Sequence, residues 1–317
     1  MAEEVKSYSQ MRREFYDKFQ NKIVPLVLIH ENSRQLRLIF AVILSSILAV
    51  VATLFLVIAF NHGGLTKSNE GIVKLAGVLY GLSYFAWYSI KKDFENSIKK
   101  KIMPTICKCF GDMQWSNGYY CNADIFTESC IIPAYNDSEY DDIFKGSYKD
   151  VSIEIVEAEY IQGSGKHRHT VFNGVIVKLD MNKDFVSHTL VKSNSIVRIS
   201  PKNTFGNILR FTELEDAEFN KKFDVYTTDE VDARYLLTPS FMERLKKMKT
   251  AFRANKVECA FYKNDLLIAL HTSEDLFSLC SLVKRIDDSR QFFRMYEQIV
   301  SIIKLIDHFK LDQRIGL

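Results

Sequence analysis

The densest group of side chains that could do chemistry lies between residues 213 and 232. Its carboxylates include Glu213, Glu215, Asp216, Glu218, Asp224, Asp229 and Asp232, and Arg234 follows them. Two carboxylates can act as general acid and base, or hold a divalent cation, so a metal-dependent hydrolase is one interpretation. The sequence has no Asp-x-Asp-x-Asp-Gly loop, which leaves a calcium loop unsupported.

The same segment also suits an architectural role, and the pattern favours that alternative. Glu215 and Asp216 are typical of a turn, and Asp229 is placed to cap the start of a helix. Arg234 can form an ion pair with a nearby carboxylate. These four residues are candidate binding residues, and none of them is predicted to be catalytic.

A second candidate is the polar stretch Gly163-Ser164-Gly165-Lys166-His167-Arg168-His169. His167 and His169 share one face of a strand-like segment, so together they could ligate a metal. The glycines, the serine and the cations favour instead a solvated hairpin tip that touches anionic lipid or a partner. Lys166, His167 and His169 are therefore interpreted as candidate binding residues rather than metal ligands.

Familiar catalytic signatures are absent from the sequence. It has no Gly-x-Ser-x-Gly elbow, no Walker phosphate loop and no His-Glu-x-x-His helix. The spacing of Cys107, Cys109, Cys121 and Cys130 matches no familiar zinc pattern. We predict no catalytic residue, no cofactor and no metal ligand, and the net charge of +3 without a basic patch in the polar part argues against a nucleic-acid partner.

Two apolar runs near the N-terminus determine where the protein resides. Leu38 to Phe60 has 23 residues without a charge, and Ile72 to Ile90 has 19 residues with one charge, Lys74. About 20 apolar helical residues cross the hydrocarbon core of a bilayer. The sequence therefore predicts a transmembrane hairpin with spans 38–60 and 72–90.

The distribution of cations predicts the orientation of this hairpin. Arg34 and Arg37 precede the first run, and Lys91, Lys92, Lys99, Lys100 and Lys101 follow the second. The connection between the runs, which contains Gly63 and Gly64, carries one lysine and one glutamate. Because cations stay on the cytoplasmic side, we expect both termini in the cytoplasm, the hairpin in the cytoplasmic membrane and the connection outside.

The segments that flank the spans show helical apolar stripes. Residues 1–37 predict a cytoplasmic amphipathic helix that is broken or kinked near Pro25, and residues 91–110 predict a juxtamembrane helix. The pattern favours packing of the two as a stalk, and the alternative is that one of them lies on the bilayer. Residues 111–317 predict a cytoplasmic domain. Its first part, to about residue 145, has the composition of an acidic surface loop.

The remaining pattern predicts an α+β fold, because strands and helices are segregated. Alternation predicts one hairpin over Val151–Asp180, with a bulge in its first strand where the alternation slips after Ile155, and a second hairpin over Val257–Leu270. Short strands are expected at Val186–Val191, Ile196–Ile199 and Ile208–Phe211, and helices at Glu230–Leu237, from Thr238 to Thr250, and from Ser273 onward with a break over Ile286–Ser289.

Several short segments resemble those of a known family. They are Phe144-Lys145-Gly146, Leu214–Phe219, Phe223–Tyr226, Ala233–Pro239 and Phe261–Leu266, and they follow two N-terminal spans. The sequence is similar to an uncharacterised family of bacterial two-span membrane proteins known only by a domain of unknown function. The resemblance implies the architecture and a bacterial source, and hints at a complex with a LemA-like membrane protein. It implies no catalytic residue.

Together these features favour a membrane-anchored cytoplasmic binding or scaffold module. Its partners would be the lipid bilayer and either another protein or a second copy of itself. The alternative is a membrane-tethered hydrolase that uses the carboxylates in 213–232. A pore is a third possibility that would need an oligomer, because two spans cannot line a channel alone.

Overall fold

A computed structural model describes residues 7–62, 69–181, 185–194, 201, 206, 208–279, 281–283, 285 and 289–309. The expected strand at Ile196–Ile199, the loop with Gly63 and Gly64, and most of the expected break after Ile286 lie outside these residues. The chain divides into two compact units. One comprises Met1–Phe15, Cys107–Phe277 and Phe292–Leu317, and the other comprises Tyr16–Ile106 and Ser278–Gln291.

The N-terminal region is helical, and its helices are longer than the apolar runs. Helix α1 (Tyr8–Lys18) continues through a π-helical turn (Phe19–Ile23) into α2 (Val24–Asn61), and α3 follows at Glu70–Cys107. The expected interruption near Pro25 is this π-helical turn, and the helix does not end there. Pro25 lies in the first turn of α2, and the wider π-helical turn before it accommodates the proline without ending the helix.

Contacts between α2 and α3 pair the end of one helix with the start of the other. They join Asn69 to Ala59, Tyr80 to Thr53, Ser83 to Ser45, Asp93 to Arg37, and Lys101 to His30. Ser83 Oγ donates to the Ser45 carbonyl at 2.8 Å. This order of contacts is that of two antiparallel helices.

One helix in the described part of the chain is long and apolar enough to cross a membrane, and it contains the first apolar run. Only 11% of its most apolar window is buried, whereas the core helix of a soluble protein would be mostly buried. The second run lies in α3, which is not among the helices that are long and apolar enough to cross a membrane. The second span therefore stays a prediction.

The other unit is built on one antiparallel sheet of nine strands among the described residues. The strands are β1 (Gln114–Asn117), β2 (Asp137–Tyr148), β3 (Val151–Gln162), β4 (His169–Asp180), β5 (Thr189–Ser193), β6 (Arg210–Thr212), β7 (Phe223–Thr227), β8 (Lys256–Tyr262) and β9 (Asp265–His271). Their order across the sheet is β1-β2-β3-β4-β9-β8-β5-β7-β6. The mixed α+β class is confirmed, as are the hairpins β3–β4 and β8–β9.

Five helices complete this part of the chain: α4 (Asp124–Glu128), α5 (Ala217–Asn220), α6 (Glu230–Leu236), α7 (Pro239–Ala251) and α8 (Ser289–Phe309). Apolar side chains cover both faces of the sheet. Phe126 of α4 shares a core with Ala260 and Tyr262 of β8. Phe261 points to the opposite face, where its ring lies 5.5 Å from that of Phe241 in α7.

Three local expectations are wrong, each because tertiary burial replaces a local pattern. Strand β3 pairs with β4 without a shift from Ile153 to Tyr160, so Ile155 and Val156 are both buried on opposite faces and the bulge lies in β2 instead. The supposed acidic loop contains β1, α4 and most of β2. The described residues from Ser273 to Arg285 are not helical, although Phe277 and Leu282 are fully buried.

The N-terminal helix packs against the C-terminal helix within the unit that contains the sheet. The Phe15 ring lies 5.5 Å from Phe293 and 4.8 Å from Tyr296. The Tyr8 hydroxyl donates to Asp307, which also accepts a 2.8 Å bond from Lys149. Burial, followed by the bond to Asp307, raises the pKa of Tyr8 above its ordinary range, so this phenol stays a donor.

Candidate functional site

The described residues bring four carboxylates together at the bulge in β2. The β2–β3 pairing shifts between Tyr140 and Ile143, so that Asp141 and Asp142 both lie opposite Glu157. A bulge of this kind re-aims side chains that would otherwise alternate across the sheet. One oxygen from each of Asp141, Asp142, Glu157 and Asp275 lies within 4.8 Å of the others; we call these four residues the acidic cluster.

Neighbouring groups hold the acidic cluster in place. The indole of Trp115 donates to Asp142 at 2.7 Å, and Asp142 is fully buried. The backbone N–H of Leu276 donates to Glu157 at 3.2 Å. Oxygen ligands in this number suit a hard divalent cation, so these residues are the ones in the described chain that could hold a metal.

The carboxylates predicted from the 213–234 segment do not form such a group. Asp216 accepts bonds from the N–H groups of Glu218 and Phe219 at 2.9 and 3.0 Å, and thereby caps α5. Asp229 caps α6 in the same way through Val231 and Asp232, at 2.9 and 3.0 Å. Glu215 is exposed.

Arg234 lies on the exposed side of α6. Its guanidinium lies 3.9 Å from Glu230 one turn earlier, and it donates to the Glu213 carbonyl at 3.4 Å. An exposed ion pair of this type contributes little to stability. The geometry therefore gives Asp216, Asp229 and Arg234 the architectural roles that the sequence favours.

Removing the Asp229 cap is expected to destabilise the fold modestly. Asp229→Ala should lower the free energy of unfolding by about 1 kcal/mol, because two N–H groups at the start of α6 lose their acceptor. Urea unfolding of the full chain in detergent measures this. Glu215→Ala is the matched control and should shift the midpoint little. Equal midpoints for the two variants would contradict the capping role.

The residues of the predicted hairpin tip are exposed. Lys166 and His167 lie in a single 3-10 turn (Gly165–His167) between β3 and β4. The Nδ1 atom of His169 lies 3.2 Å from the carbonyl oxygen of His167. Arg168 pairs with Asp137 at 2.9 Å, which ties the tip to the start of β2. The tip is thus a solvated turn that carries Lys166, His167, Arg168 and His169 in succession.

A buried histidine was not singled out by sequence reasoning. His188 is 6% exposed, its Nε2–H donates to the Ser129 carbonyl at 3.0 Å, and its ring lies 4.8 Å from that of Tyr262. Burial lowers the pKa of His188 to about 4, although the bond to Ser129 favours the cation. The imidazole is therefore neutral in the folded chain.

The buried His188 predicts a loss of stability in mild acid. Below pH 6.5 the unfolded chain takes up a proton on this ring that the folded chain does not, so the free energy of unfolding should fall by about 2 kcal/mol at pH 5. His188→Gln should remove this part of the difference between urea midpoints at pH 8 and pH 5. His169→Gln, at an exposed position, should retain it; a retained difference in both variants would count against the assignment.

The C-terminal part of the chain is similar to a known protein family. Residues 170–311 match a family described as Protein of unknown function (DUF3137). The expected resemblance to a family of unknown function is confirmed, and the matched residues run from β4 to α8. They include Asp216 and Asp229 but only Asp275 of the acidic cluster.

The chain was also compared with curated proteins and with solved structures. No curated protein matches the chain. The crystal structure of the mycobacterial trehalose monomycolate transport factor A, TtfA, aligns with 9% sequence identity and a TM-score of 0.36. The alignment covers 67% of this chain and 94% of that chain. A likeness of this size supports no inference about function.

Proposed function

We propose that this protein is a membrane-anchored binding module of the bacterial inner membrane. Helices α2 and α3 would form the anchor, and the α+β domain in the cytoplasm would bind a protein partner or a lipid headgroup. The observation that carries the proposal is the exposed apolar surface of α2. Side chains that are more than half exposed along its apolar run include Ile39, Phe40, Val50, Leu54 and Phe60.

This surface is costly in water and favourable in lipid. Large apolar side chains contribute about 1.5–3 kcal/mol each when they leave water. Buried positions in the same run are the small residues Ala41, Ala52 and Ala59, and Ala76 is the buried residue early in α3. Small residues at the contact between helices and large apolar residues outside it are typical of membrane helices.

The contact between α1 and α8 supports a second crossing by α3. Residues of α1 up to Phe15 belong to the same compact unit as the sheet and α8, so they must lie on the same side of a membrane. The chain between Phe15 and Cys107 must then cross an even number of times. If α2 crosses once, α3 has to return, and Ile72 to Ile90 is its apolar segment.

The chemistry of the α+β domain supports a binding role more than a catalytic one. Asp216 and Asp229, the best-placed carboxylates of the alternative hydrolase, serve as helix caps. The hairpin tip presents Lys166, His167 and His169 to solvent, where they can meet an anionic group. A LemA-like membrane protein remains our predicted candidate for a protein partner.

Topology mapping tests the anchor. Reporter tags at both termini and one inserted between α2 and α3 should show the termini inside and the connection outside when sealed cells are treated with a protease. Termini on opposite sides would leave one crossing and contradict the hairpin. Purification of the tagged chain from native membranes in mild detergent then tests binding. A partner of matching abundance supports a scaffold, and a chain without protein or bound lipid contradicts the binding role.

A further inference from the structure

A short loop is attached to α2 just outside its apolar run. Arg34 is 5% exposed, and its guanidinium donates to the Leu282 carbonyl at 2.8 Å and to the Val283 carbonyl at 3.5 Å. Glu31 accepts two bonds from the same guanidinium, at 2.6 and 2.9 Å, and so fixes its direction. Ser281, Leu282 and Val283 are called the juxtamembrane loop below.

The position of Arg34 sets the depth of this loop. Leu38, the first residue of the apolar run, lies four residues further along the same helix, which corresponds to about 6 Å along the axis. The headgroup layer on each side of a bilayer is of similar thickness, about 5–7 Å. If α2 spans the membrane, the juxtamembrane loop lies at the level of the headgroups.

The loop exposes one apolar side chain next to the buried Leu282. Leu282 is fully buried, whereas Val283 next to it is 58% exposed. Leu36 on α2 is also exposed, at 69%. The Ser281 hydroxyl accepts a 3.2 Å bond from the N–H of Val283, which holds the turn. Arg285 follows and is exposed.

Both helices carry cations beside their apolar runs. Arg37 pairs with Asp93 at 2.6 Å, and Lys92, Lys100 and Lys101 are exposed on α3. Each cation near an anionic membrane surface contributes about 1 kcal/mol to attraction. Val283 is exposed, and in the sequence it stands between the buried Leu282 and the basic pair Lys284-Arg285, which matches an apolar boundary beneath a negatively charged surface.

We propose that the juxtamembrane loop is a third membrane contact, in which Val283 enters the headgroup boundary and Arg285 binds the headgroups of anionic lipids. The proposal rests on the anchoring role of α2. It adds a loop from the C-terminal part of the chain to the membrane surface, and so gives that part direct sensitivity to lipid composition.

Spin labels on the full chain in vesicles test this contact. Val283→Cys, Val50→Cys and Glu243→Cys would each carry a label, in a chain whose native cysteines are replaced and whose circular dichroism is unchanged. Glu243 lies on α7, with its side chain 56% exposed. Vesicles of phosphatidylcholine with and without phosphatidylglycerol provide the two surfaces, and the ratio of collisions with oxygen and with a nickel chelate reports depth.

The expected result is a deep label at 50, an aqueous label at 243, and an intermediate label at 283 that moves deeper when phosphatidylglycerol is present. Arg285→Glu should abolish this dependence on phosphatidylglycerol. An aqueous label at 283 beside a deep label at 50 overturns the loop contact alone, whereas an aqueous label at 50 overturns the anchor. A label at 283 that is shielded from both reagents indicates coverage by protein, and also overturns the proposal.

Discussion

An aspartate at position 50 is expected to weaken the insertion of α2 into a bilayer. Val50 lies near the middle of the apolar run and is 58% exposed, so its side chain would face lipid. A carboxylate at the centre of a spanning helix costs about 3 kcal/mol for insertion, which lowers the equilibrium constant for insertion about 100-fold. Alkaline extraction of membranes measures the fraction of Val50→Asp that remains inserted.

Two controls separate insertion from folding. Val50→Leu keeps the apolar surface and should remain in the membrane after extraction. Ile29→Asp places the same charge at a position that is 69% exposed but precedes the apolar run, and it should also remain. If Val50→Asp is retained as well as Ile29→Asp, α2 does not cross the bilayer.

The parts of the fold that the sequence predicts are those with local causes. Alternating apolar residues and the tight turn before Asp265 are enough to specify the β8–β9 hairpin. Asp229 and Thr238 mark the starts of α6 and α7, because each side chain accepts a bond from an N–H within three residues. Such signals need no knowledge of the rest of the chain.

The acidic cluster has no such local cause. Asp141 and Asp142 look like part of a polar loop in sequence, and their role depends on pairing with Glu157 across a bulge. Asp275 joins them from a segment whose buried Leu276 and Leu279 lie three residues apart and so imitate a helical period. The adjacent aspartates within an otherwise alternating strand were a signal of the bulge, but only the sheet shows which residues face it.

The largest loss of stability from a single methyl group is expected at Gly174. This residue pairs with Ala158 of β3 and His271 of β9, and it adopts a φ of +148°. A Cβ at this position would lie 2.0 Å from the Leu270 carbonyl oxygen and 2.9 Å from the Thr272 nitrogen. Both are backbone atoms within the sheet, so neither can move without breaking the β4–β9 pairing.

Gly174→Ala should therefore lower the free energy of unfolding by about 3–5 kcal/mol, from backbone strain together with overpacking. Gly165→Ala is the matched control: its φ of +56° is also left-handed, but a Cβ would meet no atom within 4 Å. That change should cost about 1 kcal/mol. Urea unfolding of the full chain in detergent, followed by circular dichroism, compares the two. Similar midpoints would show that β4 and β9 are not held as closely as the contact at Leu270 requires, since the clash is what distinguishes the two glycines.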